Sequence, residues 1–367
     1  MRPLQRLACA SLCATASFSV LATECDSAYS DYEFYSSDSI YSSFAQEVLA
    51  NHPECFGASP NNAQVLINAT SGRQWSTISQ ELVRRQIRQG APSLAYQPEQ
   101  RGLAAGEAMG NWTIWANVLD DDTRQSYRNA FDQRVKNDAD VVNSILGVDY
   151  TLNPQLVLGL SLAIDRGDIS GRTTANPGNT NKLDSKGWML APYVGWQLTP
   201  ELSLDASIGL GEGKLSASGG EGSQEADRWF AGANLVYSRW MGNWQFGGRA
   251  GYLHAEEDYA KAKAGGVSFN NTDAKNKIDQ IQLGGQLGYW YNGFMPYAGL
   301  KFVDDINRSN SLKGSRDQIG REAWVWTLGL NYYSLAHGIT AGLAFEQETA
   351  RSHQSRDTLT ANISLRL

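Results

Sequence analysis

The sequence predicts an all-β transmembrane β-barrel of about 12 antiparallel strands, preceded by a small helical N-terminal segment. Three observations predict it. From Trp112 onward the chain runs through about twelve segments of alternating apolar and polar residues, each near the length a tilted strand needs to cross a bilayer. Short turns (Asn153-Pro154, Thr199-Pro200, Met241-Gly242-Asn243, Asn292-Gly293, Ala336-His337-Gly338) alternate with polar stretches such as 120–140 and 171–184. Five turns and six loops put both barrel termini on the turn side. Aromatic residues gather near segment ends, at Trp112, Trp188, Trp196, Trp229, Trp240, Trp244, Trp290, Tyr291, Trp324 and Tyr332, as in the headgroup belts of membrane proteins.

The phase of the alternation assigns the faces. Leu156, Leu158, Leu160, Leu162 and Ile164 share one side of their segment, opposite Gly159, Ser161 and Asp165. Leu204, Ile208 and Leu210 repeat this against Asp205 and Ser207, and Leu359, Ile363 and Leu365 against Thr358, Thr360 and Asn362. Parity alone fits a soluble sandwich as well as a barrel. The second face holds Gln, Asp, Arg, Lys and many Gly, which suits a wet lumen. Asp149, Asp205, Gln245, Arg249 and Lys301 fall on that face. They either set the ion preference of an open pore or pair with one another and with a helix to close it. Arg239 has lipid-facing parity at a strand end, where it can snorkel.

Upstream of the barrel, Arg2 and Arg6 precede the small apolar run 7–21, and Val20-Leu21-Ala22 looks like a cleavage site. A signal peptide over 1–22 removes Cys9 and Cys13. Cys25 and Cys55 remain, an even pair in an oxidising compartment, so a disulfide is expected. Residues 23–62 then form a small disulfide-bonded segment, too short to bury a large core alone. Within it, 41–50 has the spacing of a short helix and 51–62 reads as a loop. Residues 63–89 read as a longer helix, with Ile67, Trp75, Ile78 and Leu82 at helical spacing and Gly90 as a stop. Arg73, Arg84, Arg85 and Arg88 make its other sides basic. Helix and linker occupy 63–106, and the barrel 107–367.

Chemistry finds little support. The formal net charge of −7 argues against a nucleic-acid partner. Of the four histidines, His254 has lipid-side parity near a loop end, while His337 and His353 fall in a turn and a loop. No Gly-x-Ser-x-Gly elbow occurs. Asp120-Asp121-Asp122 and Asp304-Asp305 read as solvated loop acids rather than a divalent-cation site. Asn61-Asn62, beside Pro60, reads as a loop. Two cysteines are too few for a structural zinc site. No catalytic, cofactor or metal residues are expected.

The order of segments carries a resemblance. A signal peptide, a helix, the linker Gly102-Leu103-Ala104-Ala105-Gly106 and a strand with Trp112 and Trp115 resemble the junction before an autotransporter (type V secretion) β-domain. Ser144-Ile145-Leu146-Gly147-Val148-Asp149-Tyr150 and Ala191-Pro192-Tyr193-Val194-Gly195-Trp196 resemble its second and fourth strands. The resemblance implies a twelve-stranded barrel with a helix threaded through its lumen, held by inward acids such as Asp149 and Asp205. It also implies an outer-membrane location with barrel termini periplasmic and long loops extracellular. Expected partners are outer-membrane lipid, the barrel assembly machinery and periplasmic chaperones, and a monomer is expected. The passenger is unusually short here, and Leu367 stands where many barrels end in Phe or Trp. The expected function is therefore a translocator that carries or displays a short N-terminal segment. The alternative is a small porin-like or structural, adhesive surface barrel without secretion activity.

Overall fold

A computed structural model describes residues 24–37, 44–45, 48–49, 55, 60–90, 110–128, 134–173, 181–217, 222–312 and 317–367. The expected signal peptide (1–22), nearly all of the expected linker and most of 51–62 lie outside the described residues.

Twelve long strands form one antiparallel sheet that closes on itself. β1 (Trp112–Arg128), β2 (Arg134–Asn153), β3 (Leu156–Thr173), β4 (Asn181–Gln197), β5 (Leu202–Ala217), β6 (Ser223–Met241) and β7 (Trp244–Tyr259) pair in chain order. A small hairpin, β8 (Lys263–Ala264) with β9 (Val267–Ser268), sits in the connection to β10 (Ala274–Tyr289). β10 pairs with β7, and β11 (Phe294–Asn310), β12 (Glu322–Ser334), β13 (Ile339–Thr349) and β14 (Gln354–Arg366) follow. β14 then pairs with β1 from Thr113↔Arg366 to Gln125↔Gln354, so the barrel has no free edge. The tight turns lie where expected. At Asn292-Gly293 both residues have positive φ (48° and 86°), the conformation a two-residue hairpin turn requires.

The faces follow the parity. Leu158, Leu160, Leu162 and Ile164 are exposed on the outer wall, while Ser161 and Asp165 are buried inside. On β4 the apolar part of the outward row begins at Trp188 and ends at Trp196, both exposed, which marks the two rims of the apolar band. Leu160→Arg is expected to cost about 2–4 kcal/mol at the midplane, read as a shift in urea unfolding from lipid vesicles. An unchanged unfolding curve would contradict the outward assignment.

Three sequence expectations need correction. Trp240 and Trp290 do not join the outer belt. Trp290 is buried and Trp240 half-buried, edge-to-face at 6.2 Å, inside the turn-side end. Both have inward parity, and parity outweighs nearness to a strand end. The acidic run 120–122 and Asp304-Asp305 are strand residues, not loops. Strands such as the 20-residue β2 rise well past the apolar band, where the outer face turns polar at Arg134, Lys136 and Asp140 and the apolar-out alternation is lost. Asn61-Asn62 lies within a helix rather than a loop.

Inside runs a continuous helical rod: α2 (Pro60–Ile67), one π-helical stretch at Asn68–Gly72, and α3 (Arg73–Gly90). At 1.5 Å per residue it is about 45 Å long, enough to span the barrel. In the π stretch, Asn68 and Thr70 side chains donate to the carbonyls of Gln64 and Leu66, four residues back. A further helix, α1 (Glu24–Ser36), was not foreseen in a Ser-, Asp- and Tyr-rich stretch. Its buried Tyr29 and Tyr32 join Ala63, Leu66, Ile169, Leu215 and Tyr259 in a core at the loop-side mouth. Packing of this kind, rather than propensity, holds a short helix. A second core around Trp75 and Ile78 fills the middle, and a third with Ile87, Trp290, Met295 and Tyr333 closes the turn side. The rod therefore runs from the loop-side mouth to the turn side.

Candidate functional site: a helix held in the barrel lumen

The rod presents a different contact to the wall at each turn. Arg73, the first residue of α3, reaches three strands. Its Nε donates to Asp121 Oδ2 on β1 at 2.9 Å and its Nη1 lies 2.9 Å from Glu346 Oε2 on β13. Its Nη2 also meets Thr358 on β14, whose hydroxyl donates to Asp121 at 2.6 Å. Both acids are buried. Charge-assisted, multiply bonded contacts of this kind are strong where water screens poorly.

Further down the rod, Gln74 donates to Ser161 Oγ on β3 at 3.0 Å and to the Met189 carbonyl on β4 at 3.2 Å. Trp75 faces β6 and β7 over Gly232 and Gly251. A Cβ at Gly232 would lie 2.5 Å from the indole nitrogen, so only glycine leaves room. The Arg249 guanidinium covers the same ring at 5.3 Å. Ser79 donates to Asp205 at 2.7 Å, and Asn234 holds the other oxygen of that carboxylate at 2.7 Å. Near the turn side, Arg85 lies 2.6 Å from Asp149, which also accepts from Tyr193 at 3.3 Å. From the wall, Asn143 donates to the Ala69 carbonyl at 2.6 Å and Gln280 to Asn68 at 3.1 Å. α3 packs most closely on β5 and β6. Opposite, a cavity of about 130 Å³ remains, touched by Arg84, Arg249, Gln286, Tyr297 and Lys301. It has room for a few waters and not for a second chain.

A family model described as an autotransporter β-domain matches residues 114–317, more than half of the 367-residue chain. The chain belongs to the autotransporter β-domain family. This autotransporter barrel is a non-enzymatic outer-membrane translocator of type V secretion. Its fold is similar to the translocator domain of the autotransporter NalP from Neisseria meningitidis (TM-score 0.58, 11% identity, covering 79% of this chain and 98% of that one). It is also similar to the transport unit of the autotransporter AIDA-I from Escherichia coli (0.55, 10%, 75% and 96%) and to the β-domain of the Bordetella autotransporter BrkA (0.52, 15%, 70% and 100%). No curated protein matches the chain.

In this autotransporter barrel the residues singled out by parity, Asp149, Asp205, Gln245, Arg249 and Lys301, are on the inner wall. Gln245 donates to Ser238 at 3.1 Å and Lys301 lies 3.6 Å from Glu346. The four arginines divide unevenly. Arg73 and Arg85 meet wall acids. Arg84 pairs with Glu81 of its own helix at 3.1 Å and donates to Asn117, and Arg88 donates to the Gly338 carbonyl. Asp205 meets a serine of the helix instead of an arginine. The acids that sequence reasoning missed are Asp121 and Glu346. Extending the alternation of Asn117 and Leu119 on β1, and of Ala344 on β13, finds both. His254 sits on the outer wall as expected, 2.6 Å from Asp279 and tilted against Trp229 with ring centroids 4.8 Å apart. Among the described residues no group of three or more His, Cys, Asp or Glu is placed to hold a metal.

Proposed function

We propose that this translocator carries its own N-terminal segment through the lumen and keeps it at the cell surface, with residues 60–90 left behind as a plug. The direction of the rod is the observation that carries the proposal. Its α2 end lies in the loop-side mouth with α1, and its α3 end lies among Trp290 and Tyr333 at the turn side. Barrel termini also lie at the turn side, where the Leu367 amide donates to the Trp112 carbonyl. On this reading the turns and barrel termini are periplasmic and the long loops extracellular. The division into a signal peptide (1–22), a surface segment (23–62), a plug and linker (63–106) and a barrel (107–367) follows. Arg73 holds the plug against Asp121 and Glu346, Arg85 holds it against Asp149, Ser79 meets Asp205, and Arg84 and Arg88 add hydrogen bonds to Asn117 and the Gly338 carbonyl. The barrel works as a monomer in outer-membrane lipid, delivered by periplasmic chaperones and inserted by the barrel assembly machinery.

The surface segment is closed by a disulfide between Cys25 and Cys55. Support comes from the seating of α1, where the Tyr29 hydroxyl donates to the carbonyl of the buried Cys55 and Cys25 lies one turn before Tyr29. Asn270, in the β9–β10 connection, donates to Glu33 at 2.6 Å, which ties α1 to the loop side.

One experiment tests both statements. Phe34 is 65% exposed and lies between the two cysteines, so chymotrypsin added to intact cells should cut there. Mass spectrometry should find the piece ending at Phe34 still attached, and released only by reductant. Protection in intact cells, with cutting after the outer membrane is opened, would place the segment in the periplasm and favour a porin-like or structural barrel. Release without reductant would exclude the disulfide.

A further inference from the structure

We propose that the outer wall of β3–β5, just beyond the loop-side tryptophan, docks the phosphorylated headgroup of the outer-leaflet glycolipid, lipopolysaccharide. Three cations carry the proposal. In the strand register Arg166 faces Lys186, and Lys186 faces Lys214. Arg166 and Lys186 are exposed and Lys214 half-exposed on the outer wall. Like charges directly opposite across a sheet repel, so an unoccupied ladder of this kind destabilises the wall. Among the described residues none of the three has a carboxylate within ion-pair distance.

Their height is set by the strands. Lys186 is two residues beyond Trp188 on β4, and Arg166 two beyond Ile164 on β3. Two residues are about 7 Å of strand, which puts the ladder at the phosphate level of a leaflet whose apolar edge is marked by Trp188. At an inter-strand spacing of about 4.8 Å the three cations span about 10 Å, wide enough for more than one phosphate group.

Acids bound this window. The next row outward carries Asp122, Asp140, Asp168 and Asp184, again directly opposite one another. Glu225 faces Lys214 on the β6 side, and Glu212 faces Trp188 below. An anion is therefore attracted at one row and repelled from the rows around it. The choice of the outer-leaflet lipid rests on the reading that the loop side faces outward.

The test uses the purified full chain in detergent, with bound lipid counted by native mass spectrometry during titration with lipid A or phosphatidylglycerol. The triple variant R166Q/K186Q/K214Q should bind lipid A about tenfold more weakly or worse, as expected for three lost charges near an anionic surface. R239Q, at the turn-side rim, should bind as the parent does. If the triple variant loses its compact gel form, K186Q alone should show a smaller loss that K186R restores. Lipid A binding unchanged in the triple variant, or in K186Q, overturns the proposal. So does equal binding of phosphatidylglycerol through the same three residues. Proteolysis of intact cells reports the side of the loops separately, so an inverted barrel and a failed lipid site give different results.

Discussion

Arg73→Gln is expected to destabilise the barrel by about 3–5 kcal/mol, because it leaves the buried Asp121 carboxylate without its ion-pair partner and Glu346 with Lys301 alone. Asp121 is fully buried and Glu346 nearly so, and both lose a partner at once. The measurement is the temperature at which the purified protein leaves its compact, fast-migrating gel form. The arrangement makes a second expectation. Adding Asp121→Asn to Arg73→Gln should recover much of the loss, since the penalty comes from stranded charge rather than from a missing contact, and Glu346 still has Lys301 at 3.6 Å. A double variant no better than the single one would mean that packing, not charge, fixes α3 at this point.

Deleting residues 60–90 is expected to raise single-channel conductance in planar bilayers about tenfold, because the wall strands pair with one another and do not need the rod to stay closed. With the rod in place, the space beside α3 is a cavity of about 130 Å³. The opened pore should also prefer cations. Removing the rod takes away Arg73, Arg84, Arg85 and Arg88, and frees Asp121, Asp149 and Glu346 to face the water. A reversal potential in a salt gradient reads this directly. Equal conductance with and without the rod would show that it does not occlude the pore under these conditions.

What was legible in the sequence was whatever obeys a two-residue period. Leu160 outward and Ser161 inward follow from alternation alone, as do the inner positions of Asp149, Arg249 and Lys301. The legible part ended where the outer face becomes polar. Asp121 looked like the middle of an acidic loop because its neighbours Asp120 and Asp122 are also acids. They are acidic for a different reason, since they stand on the outer wall above the apolar band. The partners of Arg73 were not readable either. They are brought together by strand register and by the seating of the rod, across separations of 48 and 273 residues. α1 was hidden because its stability comes from Tyr29 and Tyr32 in the mouth and not from its own composition. The glycines under Trp75 read only as weak strand residues until the ring above them was in place.

The β1–β14 seam has a consequence for the order of events during biogenesis. Asp121 and Thr358 lie 237 residues apart in the chain and meet in one hydrogen bond across that seam. The cylinder therefore cannot shut until the ribosome has released almost the whole polypeptide, so the earlier strands have to be chaperoned while they wait. Arg73 bonds to both sides of the same seam from within. A rod arriving after closure would have to enter a finished cylinder, whereas a rod already in place supplies the counter-charge as the first and last strands come together. A chain truncated before β14 would lose both the seam and one of the contacts that hold the rod.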